Sequence, residues 1–512
     1  MADLILYKAN VITMDSGIPR AELIALERRR ILAVGSNDDL PAFRGIKTRL
    51  IDCEGGTIVP GFNDAHCHIL AFARSLLSVD CASASVRSIE DIKARIRHRA
   101  QQTPPGSWII ATGYNEFYLP GKRHPTRLEL DEAAPHHPVK LNHRSGHACV
   151  LNSQALQLAG ITRETPDPPG GLIDRDLETG EPSGLLFEMN YSIDKVIPPP
   201  TDTELRQGIK LANDHYLSLG ITSLQDATAD NDFRRWQDFL QLQAQGQLAS
   251  RVSLMISPAV LSEFKEQGLS FGSGNEWLRL GAVKIVLDET TGTLNPPQEE
   301  LNLQVLQAHQ AGFQVALHAI EETTVEAAAT ALEFALSTSS RSGHRHRIEH
   351  CSICPPPLMK RLKDLQAVVV TQPPFIYYSG ERYLAEVPTA QLKWLYRFKS
   401  FWDNGLKPAA SSDSPVVPPN PLTGIYAAAT RKAETGQVIL AEERLSPAQA
   451  LAMYTTNAAF AAFSEETGGT ISPGKLADMI VLSGDPTKVA LEEIKDIQVL
   501  MTIVEGELVW EK

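Results

Sequence analysis

Hydrophobic and polar positions change rhythm twice along the chain. From residue 1 to about residue 55 the apolar runs are short: Leu4–Leu6, Val11–Thr13, Glu22–Leu26 and Ile31–Gly35, broken at Asp15-Ser16-Gly17 and Gly35-Ser36-Asn37. Short β-rich runs bounded by Gly, Asn, Asp and Ser read as strands. The tail, residues 465–512, has the same texture in Ala477–Leu482, Val499–Val504 and Glu507–Trp510. Neither end holds enough strands for a domain of its own. Residues 1–55 and 465–512 are therefore expected to join in one small β-sandwich, since chain termini commonly lie close together.

Between the ends, over residues 56–464, β-rich runs alternate with helical stretches. The runs are Thr57–Val59, Ile221–Leu224, Arg251–Ile256, Ala282–Leu287, Gln314–Leu317, Arg345–Ile348, Ala367–Val370 and Pro408–Ala410. From the second onward they recur about every thirty residues, the length of a strand-helix unit. Eight such units predict an α/β fold, a (β/α)8 TIM-like barrel. Ser446 as N-cap and Pro447 at the first helical position mark the start of a helix through Ala448–Met453. The first gap, about residues 70–215, is the exception: it holds a helix over Ser88–Gln102, strands at Trp108–Ala111 and Val139–Leu141, and the Pro/Gly-rich stretch Thr165–Gly171. An insertion of that size after the first strand is expected to cap the face where barrel sites are built.

Composition narrows the class of protein. Apolar residues make up 43% and charged residues 21% of the 512, as in an ordinary globular enzyme. The net charge of −13, with both signs interspersed, argues against nucleic acid or an anionic membrane as partner. The first residues, with Asp3 and Lys8 in a short apolar stretch, are not expected to act as a signal peptide. No apolar run approaches membrane-spanning length. Six scattered cysteines, among them the lone Cys351-Ser-Ile-Cys354, do not resemble a disulfide framework. A reduced, cytoplasmic protein is expected, acting on a small molecule and assembling as a homo-oligomer, a dimer or larger.

The chemistry gathers at the C-terminal ends of the expected strands. Val59-Pro60-Gly61-Phe62-Asn63-Asp64-Ala65-His66-Cys67-His68 presents two histidines that, in extended chain, face one point. Later strands add Gln225-Asp226, Lys284, His318, His350, Gln372 and Asp413. Four histidines and a carboxylate at one end of a barrel point to a divalent ion, with a position open for water. The ion lowers the pKa of that water to about 7 and polarises a carbonyl. Asp413 is suited to take the water's proton and pass it to the leaving nitrogen. Lys284 stands in the apolar strand Gly281–Val286, where an ammonium must be paired or neutralised. It either pairs with Asp288 or Glu289 or is carboxylated by CO2 to a carbamate able to bridge two cations.

These residues resemble the amidohydrolase superfamily pattern of HxH after strand 1, Lys on strand 4, His on strands 5 and 6 and Asp on strand 8. The chain is similar to the branch, amidohydrolase family 3, that includes N-substituted formamide deformylases and metal-dependent hydrolases. The similarity extends to Ser145-Gly146-His147, Leu317-His318-Ala319-Ile320, Ile348-Glu349-His350, Gln372-Pro373-Pro374-Phe375, Ser412-Asp413-Ser414-Pro415 and Gly474–Leu482. The resemblance implies a pair of divalent ions, zinc foremost. His66 and His68 would lie on one, His318 and His350 on the other, carboxylated Lys284 between them, and Asp413 on the first as proton shuttle. His147 would reach the substrate from the insertion. The implied reaction is hydrolysis of an amide-type carbon–nitrogen bond (amide, formamide or N-acyl compound) by metal-bound hydroxide.

One departure keeps a second reaction open. His318-Ala319-Ile320-Glu321 resembles the one-metal deaminases of the superfamily, whose Glu shuttles protons during attack on an amidine carbon; alternatively Glu322 replaces an acid of the branch and Glu321 is merely solvated. Arg144, Gln372 and Tyr377, with Glu321, are the remaining candidates for substrate contact. The aromatics Tyr114, Phe117, Tyr118, Phe375, Tyr378, Trp394, Tyr396, Phe398 and Trp402 suit an apolar substituent, and Arg397 a carboxylate.

Overall fold

Gly61 is the point where the chain passes from one sheet to another. In the computed structural model, which describes residues 1–289 and 292–512, Thr57–Pro60 is a strand of the end domain and Phe62–Cys67 is the first strand of the barrel. The expectation that Thr57–Val59 opens the barrel is thus corrected by one strand. Pro60 has no N–H to continue a ladder. The next two amides bond to different partners, Gly61 N–H to Asp478 O (3.1 Å) and Phe62 N–H to Gly220 O (2.9 Å). A Cβ at Gly61 would lie 2.2 Å from Thr222 Oγ1, so only glycine fits the crossing.

The barrel sheet runs through eight strands, each parallel to its neighbour: Phe62–Cys67, Ile221–Asp226, Arg251–Ile256, Leu278–Val286, Val315–Ala319, Arg347–His350, Val368–Thr371 and Ala409–Ala410. The ring is completed beyond the short eighth strand, where Asp413 N–H donates to His66 O (2.8 Å) and His68 N–H to Ser414 O (2.9 Å). This closure sits at the end that carries the histidines. The helix Pro447–Met453 is capped by Ser446, whose hydroxyl accepts from Gln449 N–H; a further helix, Pro421–Thr430, precedes it.

The two chain ends do meet. A six-stranded sheet sets Thr57–Pro60 between Met479–Leu482 and Asn10–Ile12, and a four-stranded sheet of Leu4–Tyr7, Leu23–Glu27, Arg30–Gly35 and Arg49–Asp52 packs against it. Leu4, Leu6, Val11, Ile24, Ile58, Met479 and Ile503 form their shared core. Each such side chain, once fully buried, contributes roughly 1.5–3 kcal/mol. The N-terminal share of this sandwich extends to Pro60, five residues past the expected limit of 55, because Thr57–Pro60 belongs to it.

The chain divides into two compact units: Met1–His68, Asn213–Glu289 and Leu294–Lys512 form one, and Ile69–Ala212 the bulk of the other. The second unit has its own six-stranded sheet and its own core of Ile92, Ile96, Ile109, Leu130, Val139, Leu141 and Val150. Its helix Ile89–Ala100 begins at Ser88, whose hydroxyl accepts from Asp91 N–H. The expected strands appear as Ile109–Tyr114 and Val139–His143. Among the described residues, no helix is long and apolar enough to cross a membrane.

Candidate metal centre

His66 is the next-to-last residue of the first barrel strand and His68 directly follows the strand, with ring centroids 5.4 Å apart. Their Nε2 atoms lie 3.5 Å and 3.1 Å from Asp413 Oδ1. The donor atoms of the three residues all fall within 4.8 Å of one another. Asp413 is fixed by its neighbours. It adopts φ +58, a left-handed conformation costly for a residue with a Cβ. The loop is clamped by Asp64, whose Oδ1 accepts from Ser412 N–H (2.9 Å) and whose Oδ2 accepts from the Ser412 hydroxyl (2.5 Å).

The sixth strand brings His350 to the same place. Its ring centroid lies 4.9 Å from that of His66 and 4.4 Å from that of His318. Successive side chains of a strand point to opposite faces, yet Glu349 and His350 both reach His66. The left-handed φ of +68 at His350, followed by +49 at Cys351, turns the backbone enough to allow it.

Each of three imidazoles is held from behind through Nδ1. That of His66 contacts Glu349 Oε2 at 2.6 Å, that of His350 contacts Gln372 Oε1 at 2.9 Å, and that of His68 contacts Thr228 Oγ1 at 3.1 Å. With its proton on Nδ1 toward a carboxylate or amide oxygen, an imidazole presents the Nε2 lone pair, as metal-ligating histidines do. His350 Nε2 is buried and has no hydrogen-bond partner, and the same holds for Lys284 Nζ. Orphaned buried polar atoms are rare. Two beside three other imidazoles and a carboxylate fit a site built to take cations.

Electrostatics point the same way. Burial lowers Lys284 from the usual lysine range to about 8; the Glu349 and Asp413 carboxylates resist the shift and the Arg347 charge adds to it. Burial lowers His66 strongly and His350 as well, and the Lys284 charge pushes both further down, so both rings are neutral at pH 7. Burial acts to raise Asp413, but the hydrogen bond from His68, the strongest opposing influence, helps hold the carboxyl below its ordinary range.

The other expected residues lie elsewhere. Gln372 is fully buried and spends its amide on His350 and on Ser411 Oγ (3.0 Å), so it orients a histidine where substrate contact was expected. Tyr377 packs on Tyr378 and Tyr426, and the charges nearest it are Glu434, Lys495, Asp496 and Glu381. Glu321 is exposed at the N-cap of the helix Glu322–Thr338 and makes no side-chain cap bond. Arg397 is paired with Glu443 at 3.2 Å. Among the expected mouth aromatics, Tyr396 and Phe398 are core residues. In the second unit, Arg144 follows the strand Val139–His143, and exposed His147 lies with Nδ1 2.9 Å from Glu188 Oε1. Sequence reasoning missed Asp64, Thr228, Arg347 and Glu349. The signal for the last two was present, because Arg347 and Glu349, two apart in a buried strand, must share a face and pair.

The chain is similar along nearly its whole length to known proteins. Residues 49–510 match the amidohydrolase family. The chain is 28% identical to the N-substituted formamide deformylase of Arthrobacter pascens, over 100% of this chain and 99% of that one. It is 30% identical to the protein LONG AFTER FAR-RED 3 of Arabidopsis thaliana, covering 99% of this chain and 91% of that one. An uncharacterized metal-dependent hydrolase from Pyrococcus horikoshii superposes with a TM-score of 0.76 at 25% identity, over 96% of this chain and 99% of that one. With the match spanning barrel and end domain alike, this chain belongs to the amidohydrolase family.

Proposed function

We propose that the chain is a binuclear metal-dependent hydrolase that cleaves an amide-type carbon–nitrogen bond, as in an amide, formamide or N-acyl compound, of a small molecule. The observation that carries the proposal is the pair of orphaned buried atoms, His350 Nε2 and Lys284 Nζ, beside the cluster of His66, His68 and Asp413. His66, His68 and Asp413 would hold one ion, His318 and His350 the other, with Lys284, carboxylated on Nζ, as the ligand they share. Divalent ions held there, zinc by the donor chemistry, would supply Lewis acidity and an ionised water at neutral pH. Lys284, already displaced to about 8 by burial, is more often an uncharged amine than a surface lysine, which favours reaction with CO2.

The chain's own residues would move the proton. Asp413 Oδ1, within 3.5 Å of two imidazoles and held in its ionised form chiefly by the His68 hydrogen bond, would accept it and return it to the leaving nitrogen. The deformylase relative supports the choice of bond.

The test is metal per chain, measured on protein purified without chelator and with bicarbonate, together with a panel of N-substituted formamides, amides and esters. About two ions per chain and hydrolysis of the carbon–nitrogen substrates support the proposal. One ion in fully loaded protein, with ammonia released from a heterocycle and activity dependent on Glu321, would replace it with a mononuclear deaminase.

A further inference from the structure

The interior of the barrel contains a polar chain where apolar packing would ordinarily stand. Glu349, Arg347, Gln225 and Asn63 are all buried. Arg347 pairs with Glu349 through two bonds, Nε to Oε1 at 2.6 Å and Nη2 to Oε2 at 3.0 Å. The same guanidinium donates from Nη2 to Ala65 O (2.7 Å), one residue before His66, and from Nη1 to Gln225 Oε1 (2.5 Å). Gln225 in turn donates to Asn63 Oδ1 and Ala458 O, both at 3.0 Å. The chain ends on the imidazole of His66, with Nδ1 at 2.6 Å from Glu349 Oε2.

Such a buried pair is poor value for stability, because desolvating two charges offsets most of their attraction. Its geometry suggests another purpose. Strands one and six are not neighbours in the sheet, yet Arg347 ties the backbone of the first at Ala65 while Glu349 fixes the side chain that follows. The ring of His66 is thereby constrained in position by its strand and in tautomer by the carboxylate. The other two imidazoles have neutral partners, Gln372 behind His350 and Thr228 behind His68. Of these three rings, His66 is the one whose Nδ1 meets a carboxylate.

We propose that Glu349, held by Arg347 and Gln225, is a positioning residue that locks His66 in the tautomer with its proton on Nδ1 before any ion arrives. This rests on reading the cluster as a metal centre. Glu349 touches neither substrate nor ion; it acts through His66, by orienting Nε2 and raising its basicity.

Three proteins test it: the wild type, Glu349→Asp, and the paired variant Arg347→Gln with Glu349→Gln, which removes both charges and leaves neither stranded. Zinc affinity is measured by competition with a chromophoric chelator, and the melting temperature of the metal-free form is measured beside it. The variants are expected to bind zinc about 10- to 100-fold more weakly, with the paired variant melting close to the wild type. A folded paired variant with wild-type zinc affinity would overturn the proposal. Nitrogen NMR on histidine-labelled, metal-free wild type needs no variant to fold: the His66 proton is expected on Nδ1, and a proton on Nε2 overturns the proposal equally. If the wild type binds no zinc or other divalent ion, the metal reading itself has failed, and this proposal with it.

Discussion

Replacing Lys284 with methionine should move stability and metal content in opposite directions. In metal-free protein the Nζ atom is buried without a partner and its pKa is about 8 instead of the usual 10.5. At pH 7 the amine is protonated in both folded and unfolded chains, so the displacement measures what the folded state loses by burying the charge. At about 1.4 kcal/mol per pKa unit the penalty is roughly 3 kcal/mol. Methionine has nearly the same length and no charge to bury. The metal-free variant should therefore be the more stable at pH 7, by up to that amount. With an unfolding entropy of about 2.1 cal/mol/K per residue, the gain is on the order of 3 °C in melting temperature for a chain of this size. The advantage is lost in a defined pH window: between pH 8 and 10.5 the unfolded lysine holds its proton while the folded one releases it, so the wild type gains stability and the variant's lead disappears. In the presence of zinc and bicarbonate the variant should lose the shared ligand and bind fewer than two ions. The assay is a pair of melting curves at pH 7 and pH 10 on chelated protein, with elemental analysis of loaded protein. A variant less stable than the wild type at pH 7 would show that Nζ has a favourable partner after all, and undiminished metal content would refute the carbamate bridge.

Other perturbations follow from the same geometry. Alanine at His66, His68, His318, His350 or Asp413 should abolish turnover while circular dichroism stays native, and a variant with near wild-type rate removes that residue from the mechanism. Gly61→Ala should cost about 1–3 kcal/mol in denaturant unfolding, because its Cβ would overlap buried Thr222, and Thr222→Ala in the same chain should recover part of the loss; an unchanged midpoint would mean the sheet crossing has slack. Acid should weaken the barrel from below pH 6.5. His346 Nδ1 accepts from Val315 N–H, His346 Nε2–H donates to His309 Nδ1, and His309 Nε2–H donates to Ser339 O, a chain satisfied only by neutral rings. Burial, aided by the Arg341 charge, lowers His309 and His346 and brings His344 to about 4. Below pH 6.5 the unfolded chain therefore binds protons that these folded rings refuse, at up to about 1.4 kcal/mol per pH unit for each. Asp64, raised by burial to about 6, works in the opposite direction but is one group. A midpoint that stays flat from pH 7 to pH 5 would refute the neutral chain.

What the sequence discloses and what it withholds divide along a physical line. Strand periodicity, N-caps such as Ser446 and the i, i+2 spacing of His66 and His68 are local, so the barrel, the composite sandwich and the insertion are legible in them. The division of Thr57–Cys67 between two sheets is not, because Pro60-Gly61 reads as the end of a strand and nothing local says that another sheet begins at the next residue. The fate of Gln372 was equally hidden. A polar residue at a strand end is equally suited to touch substrate or to hold a histidine, and the difference lies in His350, twenty-two positions away. The clearest limit is the backbone itself. Alternation places Glu349 and His350 on opposite faces, and by that rule only one of them belongs to the site. Both belong because His350 takes a left-handed φ, as Asp413 does at the eighth strand. Such conformations cost of order 1–3 kcal/mol each and persist only where the surroundings over-determine them. Here the surroundings are the Gln372 amide, the His66 carbonyl and the Asp64 clamp, contributed by residues remote in the sequence. The chemistry of the site is written locally in residue types, whereas its geometry is written in contacts between strands, and for that reason the candidate ligands are legible in the chain where the residues that aim them are not.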